Sequence, residues 1–367
     1  MMDRVRCLAA TVHYGPNLVL YTASSGRVAG LDELYLVIEL DGRLMAFGEV
    51  RENIAYLTGI EPSAVRRAVI RLLDGIDWTD APQAICDRLN ADPGPHPAIA
   101  RALVDCTLND WIARLAGVPL AVSLGGGFRP ALSTNQTLFW SEDAKFLTMA
   151  KDYVRRGFLD LKVRVGAGDF EHDLRRLGMV RDAFGDAVKI AIDVNGAWSF
   201  DEARHRLTAL EPLHIAYAEQ PIAAGDWERI AALAEQSPIP IMLDESIHSL
   251  ADVSQVIVLG GQVWAHLKIV KLGGITPVMT AVRRLREAGV PFMIGQMNEG
   301  SGATAAACHC TMAAEPQYAE LYGADGLLDD PVSGLAYRNG TVQLAPGDGL
   351  GVAIDTSKTS CIWEKRL

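Results

Sequence analysis

The feature that most limits how this chain can fold is a period. VKIAIDVN closes on Asp193 and Asn195, HIAYAEQP carries Glu219, IPIMLDES carries Asp244 and Glu245, and VWAHLKIV carries Lys268. The steps from Asp193 to Glu219, Asp244 and Lys268 are 26, 25 and 24 residues. A strand, a helix and two loops take up that length, so the period is that of a parallel β/α unit. LSTNQTLFW, LDLKVRV, PFMIGQMN and YAELYG are further apolar runs, with helical stretches such as FEHDLRRLGMVRDAFG and TPVMTAVRRLREAG between them. Eight strands alternating with helices point to a closed α/β barrel rather than an open sheet. Polar residues at the C-terminal ends of barrel strands share one rim, where the active sites of such barrels lie.

Three carboxylates converging on that rim repel one another strongly unless a cation sits between them. A donor set of oxygens without His or Cys selects a hard ion. Asp193, Glu219 and Asp244 are therefore the expected ligands of Mg2+, with Mn2+ as its substitute. Taken singly, each acid reads as a helix cap or half of a surface ion pair; the shared period is what unites them. Asn195 and Glu245 are expected to support the ligands rather than replace them. Beside a divalent cation an ammonium is disfavoured, so the pKa of Lys268 is expected to fall toward neutrality, making it the candidate general base.

On the other side of the acids lies LDLKVRVG, residues 159–166. A side-chain period of two puts Asp160, Lys162 and Arg164 on one face and Leu159, Leu161, Val163 and Val165 on the other. A metal flanked by cations suits the abstraction of a proton next to a carboxylate, because metal and cations stabilise the enolate that forms.

Upstream, candidate strands at residues 18–21, 33–39 and 43–50, the last two joined at Asp41-Gly42, precede the helical runs AVRRAVIRLLDGI and IARALVDCTLNDWIARLAG. Strands followed by helices suggest an α+β domain over residues 1–125, ahead of a barrel over 126–330. The tail, 331–367, is too short for a domain and is expected to pack back on the first one. Gly125, Gly126 and Gly127 read as a turn, since no strand-before, helix-after context makes them a phosphate loop.

Charge and composition exclude several classes. Lys and Arg number 34 against 45 Asp and Glu, and the net charge of -11 is spread along the chain, which argues against a nucleic-acid partner. No apolar run approaches the roughly 18–20 residues of a membrane span. The first residues lack the apolar core of a signal peptide, and the six cysteines lack a framework spacing. These features together give the expectation of a cytoplasmic protein with reduced thiols and a small-molecule substrate.

The order KxR, DVNGAW, AEQPI, LDES, LKIVKLGGI and QMNEGSGA resembles the enolase superfamily in its muconate-lactonizing-enzyme (mandelate racemase/muconate cycloisomerase-like) subgroup. The GEV at 48–50 and the LGG from Leu124 extend the resemblance over nearly the whole chain. It implies a modified TIM barrel, (β/α)7β, closed by an N-terminal α+β capping domain, and a homo-oligomer. It also implies Mg2+ on Asp193, Glu219 and Asp244, Lys268 as catalytic lysine of the sixth strand, and Lys162 as an auxiliary lysine of the second. Glu299 is similar to an acid near the seventh strand, and Glu320-Leu321-Tyr322-Gly323 to the eighth-strand end of cycloisomerases. Residues 52–56 fall where the family places a specificity loop.

One position departs from the pattern. The family carries Lys-x-Lys on the second strand, with the second lysine an acid/base catalyst, and here that place holds Arg164. A guanidinium is not deprotonated in proteins, so Arg164 is expected to hold the substrate carboxylate or stabilise the enolate instead. The expected activity is that of a cycloisomerase, racemase or epimerase acting on a carboxylate by α-proton abstraction. The alternatives are a dehydratase using Lys268 as its single base, and a relative that binds ligand without catalysis. Thr137 and Trp140 are expected at the pocket, His266 as a packed core histidine, His248 in a loop, and Lys271 in a turn or on the surface.

Overall fold

Parallel pairing runs in chain order through Gln136–Leu138, Asp160–Arg164, Lys189–Asp193, Ile215–Glu219, Ile241–Leu243, Val263–Lys268, Phe292–Gly295 and Tyr318–Glu320. The computed structural model describes residues 3–15, 20–22, 26–92 and 94–367. The eighth strand returns to the first: the Asn135 amide donates to the Ala319 carbonyl at 3.1 Å, and the Leu321 amide donates to Thr134 Oγ1 at 2.8 Å. Helical crossovers fill each of the seven gaps and none follows the eighth strand, which is the (β/α)7β barrel expected.

Alternation along each strand divides the side chains. Leu161 and Val163 point outward into the apolar layer under the helices, whereas Lys162 is fully buried among the charges inside the barrel. Ala191, Tyr217, Met242 and Met293 form a separate apolar plug inside the barrel. Several crossover helices begin where a side chain can satisfy their first amides. Asp169, Ser199, Asp226 and Ser249 each accept a backbone N–H at the helix start, and Ser199 forms a capping box with Glu202.

The N-terminal sheet is antiparallel, in the order Ser360–Arg366, Arg4–Val12, Leu31–Leu40, Arg43–Arg51. Asp41 and Gly42 turn the hairpin at φ of 50° and 71°. Of the strand expected at 18–21, residues 18 and 19 lie outside the described residues, and Leu20–Thr22 pairs with Gly26–Val28. The tail divides. Its last strand completes the N-terminal sheet, while Leu335–Arg338 pairs with Thr341–Leu344 and the latter with Ala131–Ser133, next to the first barrel strand. The strand Arg4–Val12 was not legible in the sequence because it is covered on both faces. Val5 and Cys7 pack on the helices and Leu8 on the barrel side, which erases a clean alternation.

Buried carboxylates fasten this cap to the barrel. Helix Ala98–Leu115 is buried almost all round, and its Asp110 accepts from the Phe47 amide at 2.9 Å, the Leu350 amide at 2.7 Å and Arg114 Nε at 2.8 Å. Its Asp105 accepts from the Thr276 amide at 3.0 Å, at the start of a barrel helix. Glu49 accepts from the Ala303 amide at 3.0 Å and Asp330 from the Ser301 amide at 2.8 Å, capping helix Ser301–Ala314. Gly300 and Gly302 leave room for the Glu49 carboxylate, so GEV and NEGSG are two halves of one contact.

His309 is fully buried, accepting from the Ala121 amide at Nδ1 and donating from Nε2 to the Leu350 carbonyl, both at 3.1 Å. Burial pushes its pKa down to about 4 from 6.5. The stability that the neutral ring contributes is complete above pH 6.5 and is lost as pH falls toward the folded-state value. We expect thermal unfolding to show this contribution, about 3 kcal/mol, fading over that window. We expect His309→Gln to be less stable at neutral pH and to lack that part of the pH dependence.

Candidate active site

The barrel mouth brings together five carboxylates (Asp193, Glu219, Asp244, Glu245 and Glu320) and four cations (Lys162, Arg164, Lys268 and Lys271). Lys162 Nζ donates to Glu219 Oε2 at 2.9 Å, lies 3.6 Å from Asp193 Oδ2, and pairs closely with Glu320. Burial works against its charge, but the three acids outweigh it and hold the ammonium well above the usual lysine range. Two residues on, Arg164 Nη1 donates to Asp193 Oδ2 and, at 2.9 Å, to Asn195 Oδ1. Asn195 Nδ2 in turn donates to Glu245 Oε1 at 2.9 Å. Asn195 adopts a left-handed backbone, φ 50°, which asparagine tolerates, and its amide donates to Asp193 Oδ1 at 3.0 Å.

On the opposite wall, Lys268 Nζ donates to Asp244 Oδ2 at 2.7 Å and Lys271 Nζ to Oδ1 at 2.5 Å. Lys271 is not the surface or turn residue expected. After the sixth strand a single helical turn, Ile269–Leu272, ends at Gly273 and Gly274 with φ of 95° and 144°, and it leaves Lys271 only 2% exposed, directed at Asp244. Nor does Lys268 have a depressed pKa here. Burial lowers it, but the charges of Asp244, Glu320 and Glu219 raise it above the usual range. Burial opposes the Asp244 charge too, yet Lys268 and Lys271 hold that carboxyl well below its usual range. Asp193 and Glu219 are shifted the other way, by burial and by their acidic neighbours. Burial and the charges of Asp244 and Asp193 raise Glu245 to about 7, and its Oε2 is buried without a partner.

Other expected residues fall into two groups. His266 is fully buried inside the barrel with Nδ1 3.0 Å from Glu219 Oε1, as a packed histidine should be, and Gly295 leaves it the necessary space. Glu320 reaches the mouth and accepts from Asn135 Nδ2 at 3.1 Å. Glu299, Thr137, Trp140 and His248 do not line the cavity. The Glu299 carboxylate accepts from the Met297 amide at 3.2 Å and faces Glu49 under the cap, since the chain turns outward after the seventh strand. Thr137 is fully buried in register with Lys162 on the neighbouring strand, Trp140 lies beyond the rim, and His248 is exposed with Nε2 donating to the Glu245 carbonyl at 2.8 Å.

A cavity of about 160 Å3 covers this constellation. Arg164, Asn195, Asp244, Glu245, Lys268 and Glu320 form its polar side. Leu20, Val28, Tyr56 and Leu57 of the cap, with Phe139, Met297 and Tyr322 of the barrel, also line it, together with Arg51, Gln296 and Asn298. Within the expected loop, Tyr56 reaches the cavity, whereas Glu52 turns away to accept from Arg66 Nε at 2.8 Å.

Residues 145–358 match the enolase C-terminal domain-like family. An L-Ala-D/L-Glu epimerase of Clostridium acetobutylicum is 30% identical over 311 residues, 83% of either chain. A chloromuconate cycloisomerase of Pseudomonas putida is 27% identical over 263 residues, 71% of either chain. The solved dipeptide epimerase of Cytophaga hutchinsonii, complexed with Mg and D-Ala-L-Val, superposes with a TM-score of 0.89 at 25% identity over 99% of both chains. This chain is an isomerase of the enolase superfamily.

Within that superfamily fold, one positioning residue escaped the sequence reading. Gln220, just after Glu219, takes a left-handed backbone at φ 38° and is completely buried. Its Oε1 accepts from the amides of Asp244 at 3.2 Å and Ser246 at 3.1 Å, and its Nε2 donates to Ser246 Oγ at 2.9 Å. It therefore holds the end of the fifth strand, and with it Asp244, against the fourth. Its one signal was a polar residue between a strand-end acid and Pro221. Gln220→Ala is expected to weaken Mg2+ binding, measured by calorimetry, by about 10–100-fold. The same change at exposed Gln236 should leave it unaltered.

Proposed function

We propose that Lys268 removes the α-proton of a carboxylate substrate, with Mg2+ held by Asp193, Glu219 and Asp244. The observation that carries this reading is that Lys268 lines the cavity, whereas Lys162 is sealed beneath it by Asp193, Glu219 and Glu320. Lys271 stands behind Asp244 and does not line the cavity either. Lys268 is thus the one lysine placed to touch a substrate.

The donor chemistry fits a hard divalent ion. Raised carboxyls at Asp193 and Glu219 and the unpartnered Glu245 Oε2 mark a deficit of positive charge among the oxygens. The donor atoms that lie within 4.8 Å of one another belong to Glu219, Asp244 and His266; Asp193 is instead engaged by Arg164. His266 already contacts Glu219 through Nδ1 and is held neutral by burial and Lys268, so we assign it to orienting Glu219 rather than to the ion. When bound, Mg2+ neutralises the acids and stabilises the negative charge that develops on the substrate oxygens.

The protein's own groups do the rest. Lys268, whose neutral form would be favoured once an ion neutralised Asp244 and Glu219, takes the α-proton as an amine, and the C–H electron pair passes into the enolate. Arg164, diametrically across the ring of eight strands, keeps its charge at every working pH and faces the growing negative charge. Val28, Leu57, Phe139 and Met297 favour an apolar group beyond the carboxylate. Because one lysine suffices for β-elimination, dehydration of a hydroxy acid is the second reading.

The test is solvent exchange in D2O with Mg2+ and a carboxylate panel that includes L-Ala-L-Glu, L-Ala-D-Glu, D-Ala-L-Val, D-Ala-D-Val, N-acyl amino acids and hydroxy acids. At least one member should gain deuterium at the α-position, and its product distinguishes isomerisation from dehydration. Lys268→Ala should lower exchange by about 10²–10⁴-fold with Mg2+ affinity largely retained. Undiminished exchange in that variant removes Lys268 from this role.

A further inference from the structure

An isomerase that inverts an α-carbon needs a proton carrier on each face of the substrate, and the second-strand position that would supply one holds Arg164. We propose that the Tyr322 hydroxyl is this second carrier, so that Lys268 and Tyr322 together perform a 1,1-proton transfer. The inference rests on the reading of Lys268 given above.

Placement is the first support. Lys268 ends the sixth strand, whereas Tyr322 follows the eighth by two residues, where the barrel closes onto its first and second strands. The two residues line the same cavity from different sides, with Arg164 and Glu320 also on its wall. The Tyr322 ring packs with Val12, Leu20, Leu31 and Phe139 in a small apolar cluster of its own and is only 7% exposed. Its position is therefore held by packing from both cap and barrel. The cavity's other tyrosine, Tyr56, is 37% exposed on the cap loop, and the Tyr14 hydroxyl is already committed to Gly323 and Asn298.

The surroundings suit a proton donor whose conjugate base must be tolerated briefly. Burial pushes the phenol up to about 12, so it is protonated at neutral pH. The Glu320 charge adds to this, whereas Lys162 and Arg164 act in the opposite direction and favour the phenolate. The Thr137 hydroxyl, buried without a hydrogen bond of its own, lies close enough to Tyr322 to favour the phenolate too. Expected at the pocket wall, Thr137 is instead the positioning residue behind Tyr322.

The step balances without a further reagent. Lys268 Nζ takes the α-proton, the C–H bond breaks, and its electron pair enters the enolate. The Tyr322 O–H bond then breaks, its proton forms the new C–H bond on the other face, and the phenolate keeps the electron pair beside Arg164. Water from the cavity reprotonates the phenolate, and Lys268 releases its proton to solvent.

The experiment uses the full chain with Mg2+ and the two dipeptide epimer pairs of the panel in D2O, following α-exchange and inversion by NMR. In Tyr322→Phe, the epimer that presents its proton to Lys268 should exchange within about threefold of wild type, while inversion falls by about 100-fold or more. Thr137→Val should show the same selective loss to a smaller degree, which keeps the test valid if Tyr322→Phe does not fold. Inversion at the wild-type rate, equal loss of exchange and inversion in both variants, or an elimination product overturns the role of Tyr322 and leaves that of Lys268 standing. Persistent exchange, in Lys268→Ala, of the epimer that presents its proton to Lys268, or no exchange by wild type on any member of the wider panel, contradicts the proposed function itself, and the inference falls with it.

Discussion

Repulsion among buried carboxylates is the constraint on which this structure depends. Asp193, Glu219 and Asp244 sit almost completely buried, where unlike charges attract and like charges repel far more strongly than in water. Every nearby cation is drawn into the balance: Lys162 among three acids, Arg164 on Asp193, Lys268 and Lys271 on Asp244. A buried pair of this kind contributes little net stability, because desolvation offsets the attraction, but removing one partner is costly. We propose that the arrangement is built to receive a divalent ion and an anionic substrate. The apolar plug of Ala191, Tyr217, Met242 and Met293 lies inside the barrel with these charges.

The cap converts this charged rim into a chemical site. Asp105 and Glu49 tie it to barrel helices through backbone amides and Asp110 ties it to the C-terminal segment, so the cap residues Arg51, Tyr56 and Leu57 are carried on a firmly docked scaffold. Apolar residues from both units then surround the reactive groups, which limits their contact with bulk water and strengthens each electrostatic contact inside.

Much of this was legible in the sequence because it rested on periodicity. The barrel strands and the acids at their ends follow from the repeating β/α unit, and Asp160, Lys162 and Arg164 share a face because a strand has period two. What escaped depends on contacts between distant segments. Lys271 resembled a turn residue because nothing local says that the turn folds back on Asp244. Gln220 acts through amides one β/α unit away in sequence, and Glu299 turns toward Glu49, which is 250 residues earlier. The charge state of Lys268 depends on whether its acidic neighbours are already neutralised, which strand position alone does not determine.

Arg164 is where sequence and structure together sharpen the chemistry. It occupies a lysine's place and is spent on Asp193 and Asn195; we propose that proton transfer falls instead to Lys268 and Tyr322. We propose that the acids of the barrel mouth would hold a hard divalent ion in place of the contact between Arg164 and Asp193. The most direct test is an anomalous difference map from crystals grown with Mn2+. The account predicts one strong peak shared by Asp193, Glu219 and Asp244, with Arg164 released from Asp193. A peak on Glu219, Asp244 and His266 with the Arg164–Asp193 pair intact, or no peak in the barrel mouth, would contradict it.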